Sequence, residues 1–222
     1  MAFGGACGIL PRMNQENKHT DTASVRALLV LYGRRIAAAG LCAGTGGNIS
    51  AREGETIWMK PAGFAMDELT FDNLCGMDLD GTRITDAHEP TSEYRLHLAV
   101  YAARPDVQAV FHTHPPWLTG VISAGVAFQR LTTESIGYLG RIIHLPYVRP
   151  QSGALARQVA DAARAYDTLL LPNHGIVTMG ADPREAYHRS LVAEDTARSI
   201  VAAAIVGKPQ YLNDQQIKEI TG

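Results

Sequence analysis

Apolar positions recur at helical spacing over residues 21–39, where Val25, Leu28, Leu29, Tyr32 and Ile36 share one face and Asp21 or Thr22 can cap the start. Gly40 ends that helix, and a glycine-rich loop follows over 41–50. Residues 56–60 and 74–79 read as short strands, closed by Pro61 and by the turn Asp80-Gly81. A helix is predicted over 92–104, with Leu96, Val100 and Tyr101 on its apolar side and Pro105 beyond its end. Residues 107–112 form a run that suits a buried strand. The helix over 115–123 starts with two prolines, where proline is best tolerated. Strands are expected over 141–145, 168–171 and 176–179, and helices over 153–165 and 183–205. The polar tail after Tyr211 has room for one or two helical turns. Helices and strands alternate without a repeat, a low-complexity segment or a linker. The pattern predicts an α/β class with mixed strand pairing, as one domain over 21–222 behind a disordered tail over 1–20.

Composition narrows the function classes. The chain has 222 residues, 46% hydrophobic and 19% charged, which suits one α/β domain with a sizeable core. A net charge of −2 gives no general attraction to nucleic acid or to an anionic membrane. No run reaches the roughly 18–20 apolar residues of a membrane span. Three widely spaced cysteines (Cys7, Cys42, Cys75) argue against a disulfide framework and for a reducing compartment. The first twenty residues lack the basic start and continuous apolar run of a signal peptide, so the expected location is cytoplasmic and Met13 is an alternative start.

The chemistry gathers at Phe111-His112-Thr113-His114, Glu93 and His174. A lone histidine is more often a satisfied core residue than a ligand. A His-x-His pair closing an apolar strand is different, because alternate side chains share a face. With His174 in a sharp Asn-His-Gly turn, three imidazoles can close on one divalent cation, most simply Zn2+, with Mn2+ or Co2+ as alternatives. Glu93 falls in the first turn of a helix begun by Thr91 or Ser92. It is either a carboxylate favoured there by the helix dipole or a metal-side group that doubles as a base. The loop from Gly44 to Ser50 carries Thr45, Gly47 and Asn48. Its glycines let backbone N–H groups approach an anion, although a plain turn is as common. Thr91 and Ser92 offer helix-start donors to the same anion. Pro61-Ala62-Gly63, with Lys60 beside it, makes a third close approach.

Five motifs occur here in order: Gly-Thr-Gly-Gly-Asn-Ile-Ser, Lys-Pro-Ala-Gly, Thr-Ser-Glu-Tyr, His-Thr-His-Pro and Asn-His-Gly. In that order and spacing the chain resembles the class II aldolase/adducin superfamily from about residue 25 to 206. That superfamily includes L-fuculose-1-phosphate aldolase and L-ribulose-5-phosphate 4-epimerase. The resemblance implies a three-layer α/β/α fold with a mostly antiparallel sheet. It also implies a homotetramer with active sites between subunits and a small-molecule substrate. By position it implies that His112, His114 and His174 hold the metal and that Glu93 is both metal-side carboxylate and base. It likewise implies that Thr45, Gly47, Asn48, Gly63, Thr91 and Ser92 cradle a phosphate.

The departures are specific. Many members carry a hydroxyl where this chain has Ala62, and a Thr where it has Lys60, which offers a charge instead. A tyrosine that aldolases take from a neighbouring subunit corresponds here to Glu134 or Tyr138. A dehydratase branch places a catalytic glutamate near that point. The chain stops at Gly222 without the tail that family aldolases close over substrate. His97, four residues after Glu93, can reach that carboxylate on the same helical face, although a core or surface histidine is the commoner reading. His144 is expected in the core or at an interface.

These features predict a metal-dependent lyase that cleaves a small ketose phosphate, or an analogue of one, by retro-aldol reaction through a metal-stabilised enediolate. The same site could serve a decarboxylase, a dehydratase or an epimerase. A non-catalytic adducin-like interaction module is the third possibility, and retention of all three histidines with Glu93 argues against it.

Overall fold

The computed structural model describes residues 24–221. The expected tail over 1–20, Cys7 and the proposed caps Asp21 and Thr22 lie outside the described residues. The first helix, α1 (Val25–Ala38), is capped by Ser24, whose hydroxyl accepts from Ala27 N. It buries Leu29, Tyr32 and Ile36.

Seven strands form one sheet: β1 (Asn48–Glu53), β2 (Thr56–Met59), β3 (Cys75–Met77), β4 (Ala109–Thr113), β5 (Ile142–His144), β6 (Thr168–Leu171) and β7 (Gly175–Gly180). Their order is β3-β2-β1-β4-β7-β6-β5. Every neighbouring pair is antiparallel except β5 with β6. The expected mostly antiparallel sheet is therefore present.

Alternation along the strands sorts residues between two helical layers. On β4, Val110 packs with Leu96, Val100 and Tyr101 of α2 (Tyr94–Ala103) and with Leu155 and Val159 of α5 (Gly153–Ala163). Its neighbours Ala109 and Phe111 pack the other way, against Leu29, Tyr32 and Ile36 of α1 and Tyr187 of α6 (Pro183–Val206). Leu170 and Ile176 face α3 (Pro116–Ser123), α4 (Thr133–Leu139) and α6. The result is the α/β/α arrangement. Because the side-chain period is 2, His112 follows Val110 onto the α2 face and His114 lies one step further along it.

Three elements differ from the sequence pattern. Strand β1 begins at Asn48, inside the segment read as loop, because Ile49 and Ala51 have a core to enter despite the glycines before them. Helix α4 forms over a stretch with little apolar content, started by Thr132, whose hydroxyl accepts from Ser135 N. Helix α2 starts at Tyr94, so Glu93 is its N-cap residue and not a member of its first turn. A last helix, α7 (Asp214–Thr221), occupies the polar tail. His144 is exposed on the edge strand β5, not in the core. Among the described residues no helix is long and apolar enough to cross a membrane.

Glu194 of α6 is 1% exposed, and its carboxylate accepts from Trp117 N at 3.3 Å and Leu118 N at 2.9 Å. It thus caps α3 from outside and anchors the chain leaving His114. Glu194→Ala is expected to lower unfolding free energy by about 1.5–3 kcal/mol in denaturant titration, because two buried donors lose a charged acceptor. Glu194→Gln should lose less.

Candidate metal centre and substrate cavity

Three strands and one helix start deliver the four central side chains. Asn48 on β1 lies opposite His112 on β4, and His112 lies opposite Val177 on β7. His174 sits in the turn between β6 and β7, following Asn173, which adopts a left-handed backbone (φ 59°). Close approach here needs glycine. A Cβ on Gly175 would collide with Thr113 O and stand 2.8 Å from His114 Cδ2. Gly47 has φ +69°, and a Cβ there would strike Cys42 Sγ and stand 2.9 Å from His112 O.

His112 is fully buried, and its Nδ1 donates to Ile176 O at 2.9 Å. A carbonyl can only accept, so Nδ1 carries the proton and Nε2 turns toward the centre. Around that atom stand His114 Nε2 at 3.0 Å, His174 Nε2 at 3.1 Å and Glu93 Oε2 at 3.2 Å. Glu93 Oε1 is buried without a hydrogen-bond partner, 3.8 Å from His174 Nε2. Ligand atoms of the three histidines lie within 4.8 Å of one another. Neighbouring nitrogens on a tetrahedral zinc are roughly 3.3 Å apart, which follows from zinc–nitrogen bonds of about 2.0–2.1 Å. The spacing and the unpartnered carboxylate oxygen therefore fit a divalent cation held by nitrogen and oxygen.

Burial pushes His114 down to about 3, helped by His112 and His174, and His174 down to about 4, helped by His112. Both imidazoles are neutral at physiological pH, as ligands must be. Burial alone would raise the Glu93 carboxyl. Hydrogen bonds and charge from His112, the Asn48 amide and His174 outweigh it and hold the acid well below its usual range.

Beside this cluster lies a polar cavity of about 270 Å³. Thr45, Gly47, Asn48, Gly63, Thr91, Ser92 and Glu93 line it with His114 and His174, so the positions proposed from sequence meet in one place. His112 forms the buried floor behind them. Sequence reasoning missed Pro150 and Gln151, which complete the rim. Gln151 holds a left-handed backbone (φ 59°) just before Ser152, the cap of α5. The only trace of it in the chain is that Pro-x-Ser-Gly helix start. Lys60 also lines the cavity, 2% exposed, with Nζ donating to Thr45 O at 3.0 Å. Burial lowers its pKa.

Two expectations acquire detail. Asn48 is partly committed: its Nδ2 donates to Glu93 Oε2 at 3.0 Å and its Oδ1 accepts from His97 Nε2 at 2.5 Å, which leaves one N–H of the amide for an anion. His97 is fully buried and reaches Glu93 only through that amide. Glu134 and Tyr138 are not brought to the cavity of their own chain. Both are on α4, Glu134 exposed and Tyr138 48% exposed beside His188, with ring centroids 5.7 Å apart.

Burial also pushes His97 down to about 3, with the charge of His112 acting in the same direction. The sign follows. An unfolded histidine takes up its proton near pH 6.5, whereas the folded one resists down to about 3. The stabilisation is complete above pH 6.5 and is lost as pH falls toward 3. Unfolding free energy, measured with chelator present, should therefore decline through that window, and less steeply in His97→Gln.

Residues 27–201 match the model of the class II aldolase and adducin N-terminal domain family. An L-fuculose phosphate aldolase of Methanococcus maripaludis is 33% identical over 177 residues, covering 80% of this chain and 93% of its own. A 3-oxo-tetronate 4-phosphate decarboxylase of Haemophilus influenzae is 28% identical over 208 residues, covering 90% of this chain and 97% of its own. Among solved structures, an L-fuculose 1-phosphate aldolase superposes with a TM-score of 0.81 at 25% identity, covering 89% of this chain and 94% of that one. The family match takes in the glycine loop, Glu93 and all three central histidines, and with the shared sheet it settles the kinship: this chain is a member of the class II aldolase and adducin family.

Proposed function

We propose that this protein is a metal-dependent carbon–carbon lyase acting on a small ketose phosphate or a close analogue. The observation that carries the reading is the convergence of three imidazole Nε2 atoms and the Glu93 carboxylate at the edge of a small polar cavity. His112, His114 and His174 would hold the cation, with Glu93 completing the set, and zinc is the first choice for that donor set. Such a cation supplies Lewis acidity at the carbonyl next to the bond that breaks. Glu93 carries the proton to and from the carbon released from that bond. Thr45, Gly47, Gly63, Thr91 and Ser92 turn N–H and hydroxyl donors toward the phosphate, and the Lys60 ammonium takes the place of the hydroxyl absent at Ala62.

The hydroxyl that becomes the aldehyde must lose a proton. Glu134 of a neighbouring subunit would accept it as a carboxylate, or Tyr138 would relay it, taking it on the phenol oxygen as its own proton leaves. Either needs an oligomer with its sites between subunits, and a homotetramer is the form the family resemblance implies. Their exposure on α4, away from their own cavity, is consistent with that duty. The expected location is cytoplasmic.

Decarboxylation of a 3-oxo acid phosphate is the second reading. It is favoured by Ala62 and by the decarboxylase relative, which spans more of the chain than the aldolase relative does. A panel of ketose phosphates and 3-oxo acid phosphates, assayed for aldehyde and for carbon dioxide, separates the two.

His112→Ala and Glu93→Gln should each lower turnover by at least about 10²–10³ while circular dichroism stays native. Wild-type turnover in either variant would overturn the mechanism. His112→Ala should also purify with less bound metal. Lys60→Met should raise KM for phosphorylated substrate about ten- to a hundredfold, the cost of one charge-assisted contact, while changing kcat little.

A further inference from the structure

A line of buried side chains runs from the core of the α2 face to Glu93. Tyr101 Oη lies 2.8 Å from Ser50 Oγ, and Ser50 Oγ lies 2.7 Å from His97 Nδ1. His97 Nε2 then meets Asn48 Oδ1, whose amide nitrogen reaches Glu93 Oε2. None of the five residues is more than 7% exposed. Each is placed by regular structure. Asn48 and Ser50 are two apart on β1, and His97 and Tyr101 are four apart on α2.

The direction of every bond in the line follows from its end. An ionised carboxylate only accepts, so Asn48 must turn its nitrogen to Glu93 and its oxygen to His97. The oxygen accepts only, so His97 must carry its proton on Nε2. Its Nδ1 then accepts the Ser50 hydroxyl proton. Ser50 has one proton, so its oxygen receives the Tyr101 hydroxyl. No donor faces a donor and no oxygen is left opposing another.

We propose that Tyr101, Ser50 and His97 are positioning residues that lock the orientation of the Asn48 amide. Locked in this sense, the amide holds Glu93 Oε2 in place 3.2 Å from His112 Nε2 and leaves Oε1 unpartnered 3.8 Å from His174 Nε2. The second N–H of Asn48 remains on the cavity side, so the cavity meets a donor there and not a carbonyl. A flipped amide would set oxygen against carboxylate and offer an acceptor to an anionic substrate. His97 thus acts on Glu93 through Asn48, and this inference rests on the reading of Glu93 as the proton-carrying base.

The direct test is nitrogen NMR of wild-type protein labelled at histidine, which reports the tautomer of each ring. His97 is expected as a neutral ring protonated only at Nε2. In Ser50→Ala the Nδ1 lone pair loses its donor, so its resonance should move toward that of a free lone pair while the Nε2-protonated tautomer, set by Asn48, is kept. On the substrate found active, Ser50→Ala and His97→Leu should lose about 10–100-fold in kcat with native circular dichroism, the usual cost of removing such a supporting partner. His97→Gln can still donate at one end and accept at the other, so it should keep more kcat than His97→Leu. A His97 ring protonated at Nδ1 in wild-type protein overturns the proposal, as does wild-type kcat in a folded Ser50→Ala. The ring resonance is read without turnover. A wild-type protein that cleaves none of the substrates would sink the lyase reading and leave the tautomer result standing.

Discussion

One hydrogen bond sets the character of the whole site: His112 Nδ1 donating to the carbonyl of Ile176 across the β4–β7 pair. The two strands are held in register by the sheet, so the carbonyl has no freedom to move away. With that proton committed, the lone pair of Nε2 has one direction to face. The other side chains of the cluster are then arranged around a nitrogen whose position the core dictates. This is why the apolar packing of Val110, Val177 and Phe111 matters to the chemistry. It holds β4 and β7 where the bond is made.

The electrostatics of the cluster are internally opposed. Three imidazole Nε2 atoms are crowded together, two of them on rings that burial keeps neutral, and a carboxylate is kept ionised beside them although burial works against it. Nothing in the core requires such an arrangement, and well-packed apolar residues would be less costly. The arrangement is balanced once a small cation stands among these groups. The same opposition explains the buried polar line behind Asn48. A carboxylate desolvated on one side needs a donor on the other, and a donor that must not rotate needs support of its own.

The histidine cluster was legible in the chain because His-x-His on a strand carries its geometry with it: a period of 2 leaves little choice of face. The glycine loop and Glu93 were legible by resemblance, and their meeting is a property of the sheet. Strand β1 was hidden because Gly46 and Gly47 precede it, and local propensity argues against a strand there. Its pairing with both β2 and β4 outweighs that propensity. The relation of His97 to Glu93 was legible only in part: a core histidine was the commoner reading, and the indirect link through Asn48 was not visible. Spacing of four places two side chains on one helical face. Glu93, however, is the residue before the helix, so its side chain leaves the helical path and Asn48 from another element fills the gap. Gln151 and Pro150 left almost no signal, since a rim residue is defined by what lies opposite it in space.

The cavity also has a polarity that constrains what can occupy it. At one end stand lone pairs and a carboxylate. At the other stand backbone donors, hydroxyls and a lysine that is 2% exposed with the Thr45 carbonyl as its hydrogen-bond partner. Burial lowers the pKa of this lysine, Lys60, against the weaker opposing charge of Glu68. A buried ammonium is several kcal/mol better off when an anion joins it. Under the proposed reading an occupant would carry electron-rich oxygens toward a cation at one end and a negative group at the other. About 270 Å³ has to hold both. Within one chain that volume is on the scale of a short molecule with adjacent oxygens at its head and an anionic tail. Under the proposed reading Lys60 would compensate for Ala62 in this sense: an amine would stand in for the hydroxyl, and an anion beside it would favour its charged form against the burial that lowers its pKa.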